Sequence, residues 1–183
     1  AKRAGSGFFL LSLQLELLDP SFKRIKKMLD GLIIVFDNKA REQIELQRLQ
    51  MLKKIEKIVK SNDSTASKLQ KMKEVELDTT NYKKALTDII LKDFDNAKKT
   101  MQLDYNVAKN LNVEYAQDIA ETHASLVADL HGAKITDLMK LGLIDQLITK
   151  EPNIETVQNI INTTFQDFLD TNELKTAGGI IVT

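Results

Sequence analysis

The sequence predicts a mainly α-helical protein: an elongated helical bundle with one long central helix and short strands at both termini. Three observations carry this reading. Only 7 Gly and 2 Pro punctuate 183 residues, less turn chemistry than strand-rich sandwiches or loop-built enzyme sites need. Apolar and small residues recur at helical spacing from Tyr82 to Leu126. The hydrophobic fraction is 43% and the charged fraction 28%, which suits amphipathic helices around a core and excludes a disordered polyampholyte.

Taken in order, residues 1–19 form an apolar arm. Leu11, Leu13, Leu15 and Leu17 alternate with Ser12, Gln14 and Glu16, the period of two expected of a half-buried strand, although Leu also suits a short helix. Residues 20–63 form a basic helical segment. Asp19-Pro20 reads as its start, with Asp as N-cap and Pro in the first helical position. Phe22, Ile25, Met28 and Leu29 stripe a short helix that Asp30-Gly31 allows to end, and Leu32 to Phe36 is a buried run, strand or helix. Ile44, Met51, Leu52, Ile55, Ile58 and Val59 then share one side of a helix from about Asn38 to Lys60.

Ser61 to Thr65 is polar and turn-prone, the clearest loop in the chain. Residues 64–131 follow as the long amphipathic segment. It begins with a helix near Ser64 carrying Leu69 and Met72, and Asp78 to Asn81 either caps a new helix or sits within a continuing one. The strongest periodicity comes next: Tyr82, Leu86, Ile90, Phe94, Ala97, Met101, Tyr105, Ala108, Leu111, Tyr115, Ile119, Thr122 and Leu126. The mean step of about 3.67 residues is that of an eleven-residue repeat, not a heptad, so a straight helix of roughly 70 Å keeps this stripe on one side. Such a helix cannot bury its stripe alone. It needs the Asn38–Lys60 helix, another copy of itself or a different partner.

Residues 132–183 hold the C-terminal helices and a short strand. Gly132 and Gly142 are expected to break or bend the segment carrying Ile135, Leu138, Met139, Leu143, Leu147 and Ile148. Glu151-Pro152-Asn153 reads as a stop and restart, with Asn153 as N-cap. Val157, Ile160, Ile161, Phe165, Phe168 and Leu169 stripe a last helix, Gly178-Gly179 ends it, and Ile180-Ile181-Val182 reads as strand. There is no internal repeat and no low-complexity tract.

The formal net charge of zero conceals a dipole. Residues 20–73 carry +8 and residues 74–183 carry −8, so the halves of one chain, or of two copies, attract at long range. With no Cys, disulfides, thiolate metal sites and a Cys nucleophile are excluded. The start Ala1-Lys2-Arg3 suits loss of an initiator Met. Gln14, Glu16 and Asp19 interrupt the apolar stretch after it, so no cleavable secretory signal is expected. No run approaches about 18 apolar residues, so no transmembrane span is expected and a cytoplasmic place, or one inside a particle assembled there, is.

Chemistry-bearing residues are sparse. His123 and His131 are eight apart, more than two helical turns, and cannot share a metal on one helix. Glu121 and His123, near Asp118 and Asp129, lack the Glu-x-x-His spacing of di-iron bundles. Ser125 lies near His123 without a strained turn or an oxyanion hole. Gly178-Gly179 and Gly5-Ser6-Gly7 lack the strand, helix and Lys of a phosphate loop. No catalytic residue, metal site, cofactor or small-molecule substrate is expected.

The functional expectation is a non-enzymatic structural or assembly subunit. It packs long helices into a larger homo- or hetero-oligomer, such as a virus or phage particle or a cellular scaffold, with its own copies and other assembly subunits as partners. The packing surface is the stripe Tyr82, Leu86, Ile90, Phe94, Met101, Tyr105, Leu111, Tyr115 and Ile119. Inter-subunit contacts are expected from the apolar ends, Phe8, Phe9, Leu11 and Leu13 with Ile180, Ile181 and Val182, by strand pairing at a sheet edge. The alternative is a peripheral membrane or nucleic-acid binder using the basic half. There Lys23, Arg24, Lys26 and Lys27, then Lys53, Lys54, Lys57 and Lys60, would face phosphate, though aromatic residues are scarce among them.

Overall fold

The structure, a computed structural model, describes residues 20–105, 116–149 and 153–182. Among them are six helices: α1 (Pro20–Lys60), α2 (Thr65–Lys73), α3 (Thr80–Tyr105), α4 (Ala116–Thr149), α5 (Ile154–Asp170) and α6 (Glu173–Val182). The described residues contain no strand. The protein is mainly α, as the sparse Gly and Pro and the helical periodicity predict.

Helix α1 is longer than expected. It runs through Asp30-Gly31 and the Leu32–Phe36 run without a break. Leu32, Phe36, Ala40, Ile44, Met51, Ile55 and Val59 are buried at near four-residue spacing, so one continuous inward stripe outweighs the weak helix propensity of a single Gly. Gln47 occupies the one polar place in that row, and its Nε2 donates to the Asp78 carbonyl at 3.0 Å.

Helix α2 is capped by Ser64, whose Oγ accepts from the Ser67 N–H at 3.3 Å, and it buries Met72. A non-helical stretch of residues 75–79 follows. Asp78 and Thr79 then open a new helix: the Asp78 carboxylate accepts from the Thr80 N–H at 3.0 Å, and the Thr79 carbonyl accepts from the Lys83 N–H at 2.8 Å. Asn153 caps α5 as expected, accepting from the Glu155 N–H at 2.9 Å.

Helices α1, α3, α4 and α5 form a ring in which each packs on two neighbours, α1 on α3 and α5, and α4 on α3 and α5. Helix α6 packs on α1, with smaller contacts to α3 and α5, and α2 packs on α4 and α1. Phe36, Ile44, Ile55, Tyr82, Leu86, Ile135, Met139, Phe165 and Phe168 are among the large side chains of the shared core.

The single long central helix is overturned. Tyr82 Oη and His131 Nδ1 lie 2.9 Å apart, whereas one continuous helix would separate these residues by about 74 Å. Helices α3 and α4 are instead antiparallel. From that contact α3 advances about 35 Å to Tyr105 and α4 retreats about 22 Å to Ala116. A parallel pair would leave a gap of about 57 Å, beyond the roughly 40 Å that eleven peptide steps reach.

The glycines expected to interrupt helices do not. Helix α4 continues through Gly132 and Gly142, and α6 through Gly178 and Gly179. Each of three is where another element comes close: an added Cβ would stand 2.8 Å from Thr79 Cγ2 at Gly132, 2.8 Å from Ile160 Cγ2 at Gly142 and 2.9 Å from Phe36 Cδ1 at Gly178. Their missing side chains admit a neighbour, and that packing offsets the entropic cost of Gly within a helix. The expected C-terminal strand is corrected by the same fact, since Ile180, Ile181 and Val182 belong to α6.

Candidate interaction surface

Helix α4 carries two unlike faces. Inward it presents Ala116, Ala120, Ala124 and Ala128, all buried, before larger residues Ile135, Met139 and Leu143 take over. Alanine every fourth residue lets a neighbouring helix approach closely. The antiparallel register carries Leu86 and Ile90 of α3, both buried, alongside the Ala124–Ala128 stretch. Large side chains from one helix thus meet small ones from the other.

Outward the pattern is reversed. Leu126 is 70% exposed, Leu130 62% and Leu141 70%, and Ile119 and Leu138 are exposed as well. At 100° per residue Ile119, His123, Leu126, Leu130, Lys134, Asp137 and Leu141 fall within about 80° of arc, a band about 33 Å long with Leu138 at its edge. A monomer usually scatters its exposed apolar side chains, whereas several aligned along one helix face mark a contact surface. Helix α1 exposes Ile34, Val35, Leu46 and Leu49. Charge interleaves that second set, as Lys134 and Asp137 do the band on α4: Lys39 pairs with Glu42 at 2.7 Å, Arg41 with Asp37 at 2.9 Å and Arg48 with Glu45 at 2.7 Å.

The expected packing stripe divides. Tyr82, Leu86 and Ile90 are buried, and Phe94 is half-buried against the core. Met101 and Tyr105 lie in α3 but their side chains are outside the described residues, as are Leu111 and Tyr115 altogether. Ile119 is exposed. The periodicity pointed to Ile119, Thr122 and Leu126 as the inward face because they continue the row of larger residues. The inward face is the alanine row one or two positions further on, and regular Ala at 116, 120, 124 and 128 was the signal available for it. Phe8, Phe9, Leu11 and Leu13 lie outside the described residues, and so do the side chains of Ile180, Ile181 and Val182.

The titratable residues are divided in the same way. His131 is buried where α3, α4 and α5 meet, stacked with Tyr82 at 6.0 Å between ring centres and edge-on to Phe168 at 5.2 Å. Burial holds its imidazole down at about 4 and pushes the Tyr82 phenol up, so both are neutral near neutral pH. His123 is on the outer face. Asp129 pairs with Lys83 at 2.9 Å and accepts from Thr79, and Glu121 accepts from Gln117. Among the described residues no three His, Asp or Glu side chains converge on one point, and no helix is long and apolar enough to cross a membrane.

Several lysines of the basic half are engaged inside the chain. Lys68 Nζ donates to the Val59 carbonyl at the end of α1, 2.8 Å away, and Lys54 Nζ to the Glu76 carbonyl at 3.3 Å. Lys71 pairs with Asp63 at 2.5 Å and Lys60 with Glu56 at 3.8 Å. Lys53, Lys57 and Lys60 line a shallow groove with Glu56 and Ser61. In comparisons with known proteins the chain matches no family model, no curated protein and no solved structure.

Proposed function

We propose that this chain is a non-enzymatic assembly subunit whose helical bundle presents α4 as a docking face to other protein subunits. The observation that carries the proposal is the inversion on α4, where the small residues turn inward and Leu126, Leu130 and Leu141 turn to solvent. Burying a Leu side chain is worth about 1.5–3 kcal/mol, so a row of them gains most from a protein surface that takes them out of water. A particle shell or a cellular scaffold built of such subunits fits this reading.

The runner-up, phosphate binding by the basic half, draws on Lys53, Lys57 and Lys60. It is disfavoured by the lysines already spent on internal carbonyls and carboxylates and by the scarcity of aromatic residues among them.

Light scattering on a sizing column at low and high salt tests the proposal. Association through an apolar face yields a particle heavier than one chain whose mass is insensitive to salt. A monomer at every concentration contradicts it. Binding to lipid vesicles or nucleic acid that collapses steeply with salt would favour the runner-up.

A further inference from the structure

We infer that the outer face of α4 docks a second copy of itself, antiparallel, about a twofold axis at Leu130. This rests on the assembly reading above and names its partner. The face is self-complementary in one register. With Leu130 opposite Leu130, Ile119 meets Leu141 and His123 meets Asp137, each twice by symmetry, as an isologous interface requires. Leu126 meets Lys134, whose ammonium is already paired with Glu173 and whose methylene stem covers the leucine. One helical turn away, with Leu126 opposite Leu130, Ile119 would meet Asp137 and His123 would meet Ala133, so a carboxylate would lie against an apolar side chain. The first register sets Leu130 on Leu130 and Ile119 on Leu141, brings His123 beside Asp137, and leaves only the Lys134 stem against Leu126. Charge complementarity of this kind fixes register and partner choice.

The absence of Cys makes the register directly readable. In Leu130→Cys the two thiols face each other across the axis, within the Cα separation below about 7 Å that a disulfide needs. In Leu126→Cys they stand about 12 Å apart along the helices, and in Ile119→Cys about 33 Å. With diamide as oxidant, Leu130→Cys should give a disulfide-linked dimer, and the single variants Leu126→Cys and Ile119→Cys should not. Ile119→Cys combined with Leu141→Cys should crosslink again. As a second arm, His123→Glu should weaken the dimer by roughly three- to tenfold, and adding Asp137→Lys should restore it.

Equal crosslinking at all positions, or no rescue by the second charge reversal, overturns the inference. Association by light scattering without a Leu130→Cys crosslink overturns self-docking while leaving the assembly reading intact, whether the face is covered by residues 1–19 or by a different protein. A chain that is monomeric throughout overturns both.

Discussion

Tyr82 and His131, 49 positions apart, share a 2.9 Å hydrogen bond in the centre of the bundle. It joins α3 to α4 where both residues are almost wholly removed from water. Removing one partner leaves a buried polar atom unsatisfied, which costs about 1–3 kcal/mol. Tyr82→Phe should therefore lower stability by about that amount in urea unfolding. His131→Leu should do the same, and the double variant should lose clearly less than the two single losses together. Strict additivity would mean that the pair is not coupled.

The same pair sets a pH dependence. His131 is held down at about 4 in the folded chain, against 6.5 when unfolded. The unfolded state therefore binds more protons between these values, and stability rises with pH there. The contribution is fully present above about 6.5 and lost as pH falls towards 4, on the order of 3 kcal/mol in all. Between pH 7 and 5 the unfolding midpoint should fall in the wild type, and the His131→Leu variant should show a much flatter profile. Below that range Glu173, whose carboxyl Lys134 holds below its ordinary value, adds its own loss.

Four glycines give a contrast in sign. Gly31 lies on the exposed side of α1 with nothing within 4 Å of an added Cβ, so Gly31→Ala should stabilise by about 0.5–1 kcal/mol through helix propensity alone. Gly178→Ala pushes a methyl group against the fully buried Phe36 ring and should cost about 1–3 kcal/mol. Gly132→Ala and Gly142→Ala should fall on the same side as Gly178→Ala. Thermal melts of the four variants decide it. Stabilisation at all four would mean that these close approaches are absent.

The alanine row makes a further demand. Ala124 and Ala128 are fully buried between α4 and its neighbours. Ala124→Leu should destabilise by about 1–3 kcal/mol through overpacking, whereas Leu126→Ala, two positions away on the exposed face, should leave the melting temperature of a dilute sample nearly unchanged. The reverse ranking would put the wrong face inward.

Much of the architecture was legible in the residues, and the failures have physical causes. Asn153 was readable as a cap, and Ser64 as the neighbourhood of a helix start, because a short polar side chain before an apolar stripe satisfies the free N–H groups of a helix start. The inward rows of α5 and of α1 from Ile44 to Val59 were readable because large apolar residues mark them. Gly132, Gly142 and Gly178 misled because helix propensity treats Gly as a breaker, while its role beside Thr79, Ile160 and Phe36 depends on a partner distant in sequence. The antiparallel packing of α3 and α4 was hidden by a sequence periodicity that runs unbroken from Tyr82 to Leu126. The alanine row was hidden because buried Ala carries little hydrophobic weight, which drew the eye to Ile119 and Leu126. The exposed leucine face could be recognised only once the alanines were known to point inward.

The central claim is that Leu126, Leu130 and Leu141 serve association and not folding. The most direct test combines Leu126→Gln, Leu130→Gln and Leu141→Gln and measures mass by light scattering alongside helical content by circular dichroism. A fully helical chain whose mass falls from that of an assembly to that of a monomer is the expected result. Unchanged mass, or a chain that has lost its helices, would contradict it.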